Sequence, residues 1–184
     1  MRVSRSNLLA AVWGLAEATL FFIIPDVLLS WIALRSRKRA LIACLWVTVG
    51  ALCGGTILWL VGHNNPEPVR QVFTFLPAIT ADMVAGVNAQ LEKTGLLALF
   101  IGPLIGTPYK IYAVETASLG YGLGIFLLIS VPARLLRFVI VSVVAGTICE
   151  MLTPRVSQRN LRIIHLLFWI ALYGVYFSVM PSKG

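Results

Sequence analysis

Apolar residues in this chain come in blocks rather than in stripes. Residues 6–34 carry charge only at Glu17 and Asp26, and residues 40–62 and 163–182 carry none. Residues 95–119 and 120–149 are just as apolar, but the first holds Lys110 and Glu115 and the second Arg134 and Arg137. Between the blocks lie the cluster Arg35, Arg37, Lys38 and Arg39, the polar stretch 63–94, and the charged segment 155–162. A spanning helix needs about 20 predominantly apolar residues, so this pattern predicts an all-α, polytopic membrane protein with about three to five crossings.

Breaks inside the blocks predict more than plain crossings. Pro25-Asp26 interrupts 6–34, and Gly102-Pro103 with Gly106-Thr107-Pro108-Tyr109-Lys110 interrupts 95–119, so no uninterrupted helix fits the second of these blocks. Arg2 and Arg5 ahead of the first block resemble the start of a signal peptide, but a cleavable apolar region is about 7–15 residues long. This one is longer, holds an internal carboxylate and ends in Leu34-Arg35, so a retained segment is expected. Block 40–62, with Gly50, Ala51, Gly54 and Gly55, reads as a span built for close packing. Stretch 63–94 opens with His63-Asn64-Asn65-Pro66-Glu67-Pro68, a helix stop, and is expected to be an external loop. Within it Met83, Val84, Val87 and Leu91 recur at helical spacing opposite Asp82, Asn88 and Glu92, the pattern of a short amphipathic helix in the interface or of a plain soluble one.

Charge then sets a topology. A single crossing by 6–34 would put Arg2 and Arg5 on one side and the denser Arg35–Arg39 cluster on the other, against the positive-inside bias. A re-entrant hairpin turning at Pro25-Asp26 removes that conflict and leaves the N-terminus cytoplasmic. Span 40–62 then exits, 63–94 lies outside, a second hairpin over 95–119 dips in from outside, 120–149 returns, and 163–182 exits again. Pro25 precedes Gly62 by 37 residues and Pro108 precedes Gly146 by 38, so hairpin plus span occurs twice. The fold expected is an inverted repeat of two re-entrant helical hairpins, with about three full transmembrane helices, as one membrane domain over 1–184.

Composition excludes the soluble classes. Of the 184 residues 59% are apolar and 12% charged, with mean hydropathy +0.89, against about 25% charged in an ordinary soluble domain. A net charge of +8 would suggest nucleic acid in a soluble protein. Here the basic residues sit between apolar blocks, so membrane lipids and their anionic headgroups are the expected partners, with no nucleic acid; homo-oligomerisation is left open. Cys44, Cys53 and Cys149 are an odd number of thiols in or at the ends of apolar runs, expected as reduced packing residues.

The candidate chemistry lies in six ionisable residues inside apolar runs: Glu17, Asp26 and Glu115 against Lys110, Arg134 and Arg137. Each would cost about 2.5–3.5 kcal/mol at the centre of a lone helix, roughly 15–20 kcal/mol together, so they must pair or face water. Arg134 and Arg137 stand at i, i+3 on one helix face and can grip a carboxylate or a lipid phosphate. The Gly106-Thr107 backbone beside Lys110 suits an anionic group, although nothing here is a P-loop. Glu17, Asp26 and Glu115 are expected to serve in proton coupling or in charge pairing; Glu17 and Asp26, if desolvated near one another, would disfavour double ionisation. No metal, cofactor or catalytic motif is present in the sequence: His63 and His165 lie at the ends of different spans, and His165 reads as an interfacial or packing residue rather than a base.

Glu17, Pro25-Asp26, the run Gly50-Ala51-Leu52-Cys53-Gly54-Gly55, and Thr94-Gly95 leading into Gly102-Pro103-Leu104-Ile105-Gly106-Thr107-Pro108-Tyr109-Lys110 together resemble the DedA superfamily. That superfamily is also known as the SNARE-associated Golgi or VTT-domain proteins, and the stretch 102–115 is most similar to its YqaA-type branch. The resemblance covers residues 10–150. It implies two re-entrant hairpins in an inverted repeat, residence in a bacterial cytoplasmic membrane, and translocation of undecaprenyl phosphate or phospholipid. The family's acidic pair falls on Glu17 and Asp26, and the later of its two arginines around a proline falls on Lys110; the earlier falls near Pro103, a departure that Arg134 and Arg137 would make good. The function expected is therefore lipid transport, as flippase or scramblase and not as an enzyme. The alternatives are a small proton-coupled drug or ion transporter using Glu17, or a non-transporting structural membrane factor.

Overall fold

The computed structural model describes residues 5–77 and 79–179, and among these every regular element is helical. Arg2, and residues 180–182 of the last predicted span, lie outside the described residues. The first block is two helices, α1 (Arg5–Ala18) and α2 (Asp26–Ala33). Proline cannot donate to a helix ladder, and Pro25 stands immediately before α2 with Asp26 in its positively polarised first turn. The break is folded back on α1 by Trp13, whose indole N–H donates to the Ile23 carbonyl at 3.0 Å.

Helix α3 (Arg37–Asn64) follows, capped by the Ser36 hydroxyl, which accepts from the Arg39 amide at 3.3 Å. Arg37, Lys38 and Arg39 are thus its first turn rather than a linker. α1 lies along α3 in backbone contact: a Cβ at Gly14 would strike the Val47 carbonyl, and one at Gly50 the Ala11 carbonyl. Gly50 and Gly54 of block 40–62 face this seam, while Gly55 lies against the Tyr109 ring.

Stretch 63–94, expected as a loop with one short helix, is helical over most of its length. It holds two helices, α4 (Pro66–Phe75), with proline in its first turn, and α5 (Ala81–Thr94), capped by the Thr80 hydroxyl on the Met83 amide at 3.2 Å. Val84, Val87 and Leu91 of α5 are buried with Phe73 and Ile79 in the main core, so the apolar face is taken up by protein rather than by a lipid interface.

A 3-10 turn (Gly95–Leu97) leads into α6 (Ala98–Leu104), which stops at a four-residue break before α7 (Tyr109–Ser118). Gly106 sits in that break at φ +99°, a backbone state only glycine adopts without strain. Every residue of α7 from Tyr109 to Ala117 is buried, which places α7 at the centre of the fold. Two long helices complete the chain, α8 (Leu123–Leu152) and α9 (Gln158–Val179). Since α9 begins at Gln158, Arg159 and Arg162 belong to its first turns and not to a connecting segment.

Three helices, α3, α8 and α9, are long and apolar enough to cross a membrane. Their outer faces leave large apolar side chains uncovered, among them Leu45, Leu128 and Ile170, which in water would be a severe liability and in lipid is required. The chain is a membrane-embedded protein. The other two apolar blocks are helix pairs whose members, at 14, 8, 7 and 10 residues, are each too short to cross alone. A short pair followed by a long helix occurs twice, as α1–α2–α3 and as α6–α7–α8.

Candidate functional site

The breaks of the two short pairs meet beside the middle of α8, and five charged residues meet with them. Glu17 comes from the end of α1, Asp26 from the start of α2, Lys110 from the first turn of α7, and Arg134 and Arg137 from α8. All but Arg137 are at most 4% exposed. Charges so buried persist only when paired.

Two of the cations have carboxylate partners. Arg134 forms an ion pair with Glu17, its guanidinium 4.5 Å from the ring centre of Tyr109 and 4.8 Å from that of Phe138. Tyr109 is itself fixed, its hydroxyl donating to Ser130 at 3.0 Å and its ring lying over Gly55 of α3. Arg137 donates to Asp26 Oδ2 from Nε at 3.1 Å and from Nη2 at 2.7 Å, and from Nη1 to the Pro103 carbonyl at 2.7 Å. That carbonyl belongs to the last turn of α6, where helix geometry leaves acceptors without partners. Lys110 is different: its ammonium donates to the Phe21 carbonyl in the first break at 2.8 Å and makes no ion pair among the described residues.

A cavity of about 210 Å³ opens on this cluster. Glu17, Lys110, Arg137, Gly106 and Thr107 are among its lining residues, with Phe21, Phe22, Tyr173, Tyr176 and Phe177 forming an aromatic part of its wall. The Tyr173 hydroxyl accepts from the Ile24 amide at 3.0 Å, tying α9 to the first break.

Of the three cations expected to converge on one phosphate, Lys110 and Arg137 reach the cavity. Arg134 does not, being enclosed behind it by Glu17 and the two rings. Asp26 likewise stands behind Arg137. Glu17 and Asp26, read from the sequence as a pair of mutually repelling carboxylates, each have a guanidinium of their own. The Thr107 amide, expected as an anion donor, is already given to the Gly102 carbonyl at 2.9 Å. Glu115 lies at the other end of α7, wholly buried, and takes no part in the cavity.

Glu115 is held by Arg70 of α4, which donates from Nε at 2.8 Å and from Nη2 at 2.6 Å, a two-pronged grip. This carboxylate, followed by that of Glu67, holds the Arg70 guanidinium well above its ordinary range of protonation. The sequence reading passed over Arg70, although a signal existed: a carboxylate buried in an apolar run needs a cation, and the adjoining polar stretch 63–94 offers Arg70 and Lys93. Tyr109 and Tyr173 were also missed, and no pattern in the chain marks them out from its other aromatics. His63 stacks on Trp59 at 5.0 Å, and His165 is buried, with Nε2 2.8 Å from the Ser30 hydroxyl.

No protein-family model, curated protein or solved structure matches this chain.

Proposed function

We propose that this protein is a membrane lipid transporter, a flippase or scramblase and not an enzyme, that moves a lipid with a phosphate headgroup through the cavity between its two broken helices. Undecaprenyl phosphate and phospholipids have the headgroup chemistry it would take. The observation that carries the reading is a charge count: three cations stand against two carboxylates in the cluster on which the cavity opens, and the ammonium left over is buried and lines the cavity. An uncompensated buried charge costs several kcal/mol, and an anion in the cavity would offset that cost. Arg137 and Lys110 are the groups that would meet a phosphate, one offering a planar fork and the other a point charge. Arg134 is a positioning residue, because by neutralising Glu17 it keeps a lone negative charge away from the headgroup.

The resemblance to the DedA superfamily at residues 10–150 supports the same reading. On it, α1–α2 and α6–α7 are re-entrant hairpins entering from opposite faces as an inverted repeat. The N-terminus and segment 155–162 are then cytoplasmic, α4 and α5 external, and the membrane is the bacterial inner membrane. Coupling to protons would require Glu17 or Asp26 to leave its arginine during the cycle.

Mass spectrometry of the protein released from its native membrane tests the headgroup assignment. A bound phosphate-headgroup lipid is expected from the wild type and should be depleted in Lys110→Gln. A neutral lipid retained equally by both proteins would refute it.

A further inference from the structure

A second, larger cavity of about 450 Å³ runs between α8 and α9. Ala145, Ile148 and Leu152 of α8 and Ile164, Phe168 and Leu172 of α9 are among its lining residues. It is an open groove rather than an enclosed void, since Ile148, Ile164 and Phe168 are each about half exposed, at 51%, 50% and 57%. The polar groups at its floor turn toward one another: the Trp169 indole donates to the Ser30 hydroxyl at 3.2 Å, and Ser30 lies against His165.

The groove adjoins the charged cavity. Leu172 lines both, Tyr173 of the cavity follows it directly, and on α8 the groove starts at Ile140, one turn beyond Arg137. From Ile140 to Leu152 α8 rises about 18 Å. Half of a bilayer's hydrocarbon core is about 15 Å, which is the depth one lipid's chain occupies. Arg137 itself stands midway along α8. A molecule with its anion at Lys110 and Arg137 would therefore have, leading away from that anion, an apolar track one leaflet long.

We infer that the α8–α9 groove seats the hydrocarbon chain of the same lipid whose phosphate occupies the Lys110–Arg137 cavity. The inference rests on the lipid-transport reading above and adds the place and direction of the lipid's chain. Lipid tails are as apolar as the groove, so the groove adds little driving force. What it contributes is direction: a chain packed between two helices fixes which way the phosphate is presented, and α9, which touches the body chiefly at α2, forms one wall of that track.

Two probes test this on the full protein in digalactosyldiacylglycerol nanodiscs, whose lipid carries no phosphate: hexadecyl phosphate with a diazirine at the far end of its chain, and the same compound with the diazirine beside the phosphate. The tail probe is expected to label α8 and α9 within 145–152 and 164–168, and the head probe the surroundings of Lys110. Excess plain hexadecyl phosphate should remove both labels. Ala145→Phe and Ile164→Trp, which fill the groove from opposite walls, should cut the competable tail label about fivefold while the head label changes less than about twofold. The retained head label also shows that the variants are folded. Thr147→Phe, on α8 but off the groove, should leave both labels as they are. A tail label spread over outer residues such as Leu128 and Ile170 and not competed means ordinary surrounding lipid, and it overturns the inference with the headgroup reading intact. So does a tail label absent from the groove while the head label persists, as when a second copy closes it. If neither probe is competed at either place, the headgroup reading falls and this inference falls with it.

Discussion

Arg137 and Asp26 are joined by two hydrogen bonds to a single carboxylate oxygen, at 3.1 and 2.7 Å, while the third arm of Arg137 holds the Pro103 carbonyl. One side chain in the middle of α8 thus ties the start of α2 to the end of α6 and keeps both breaks in place. The partly buried pair has few alternatives for either member, since 15% of the Arg137 side chain and 5% of that of Asp26 is exposed.

Asp26→Asn should therefore strand a guanidinium and lower stability by about 3–5 kcal/mol, whereas Asp26→Asn with Arg137→Gln should recover much of that loss. Thermal unfolding of the four proteins in detergent measures the coupling. Strict additivity of the two single effects would mean that the pair does not hold the breaks together.

Two glycines, one in the α1–α3 seam and one at an open position of α5, make predictions of opposite sign. Gly50→Ala drives a methyl into the Ala11 carbonyl and should destabilise by about 1–3 kcal/mol. Gly86→Ala, in α5 with no atom near the added methyl, should stabilise by about 0.5–1 kcal/mol by removing backbone freedom from the unfolded chain. Melting temperatures of the two variants should move apart. A loss of stability at both would show that packing is not what decides.

Arg70 and Glu115 couple α4 to the centre of the fold. Arg70→Met leaves a wholly buried carboxylate without its cation and should be strongly destabilising, by about 3–5 kcal/mol, and Arg70→Met with Glu115→Gln should be much milder. Since Arg70 lies away from the cavity, the double variant should still retain the headgroup lipid. Its loss there would make the Arg70–Glu115 pair part of the lipid site.

The proposed topology is open to labelling in a background without the native thiols. Cysteines at Ser6, Lys38 and Ser157 should react only from the cytoplasmic face, and cysteines at Asn64 and Glu92 only from outside. Reaction of Ser6→Cys and Lys38→Cys from opposite faces would exclude a hairpin over 6–34.

What the chain discloses by itself depends on how local the cause is. The long spans and both breaks were legible because apolar length, Pro25 and the Gly106–Pro108 run act within a few residues of where they stand. The two helices of 63–94 were half legible: the spacing of Val84, Val87 and Leu91 announced α5, but only the packing of that face on α7 decides whether it meets lipid or protein. The charged residues were found as a set, since carboxylates and cations in apolar runs must pair. Which carboxylate goes with which cation was not settled, since Glu17 and Glu115 were both open to Arg134: Arg134 with Glu17 and Arg70 with Glu115 join elements separated by 117 and 45 residues, and only the fold selects among the pairings. The same holds for Arg134, whose helix face was right and whose enclosure by Tyr109 and Phe138 has no sequence signal.

The central claim is that the unpaired Lys110 ammonium makes the cavity a carrier of phosphate headgroups. Reconstituted vesicles holding a fluorescent phosphate-headgroup lipid in one leaflet measure it directly, through the rate at which the label appears in the other. Wild-type protein should move this lipid and leave a neutral-headgroup analogue in place; Lys110→Gln should lose at least about tenfold in rate, and Lys110→Arg, which keeps the charge, should lose less. Equal rates for wild type and Lys110→Gln, or equal transport of the charged and the neutral lipid, would contradict the account.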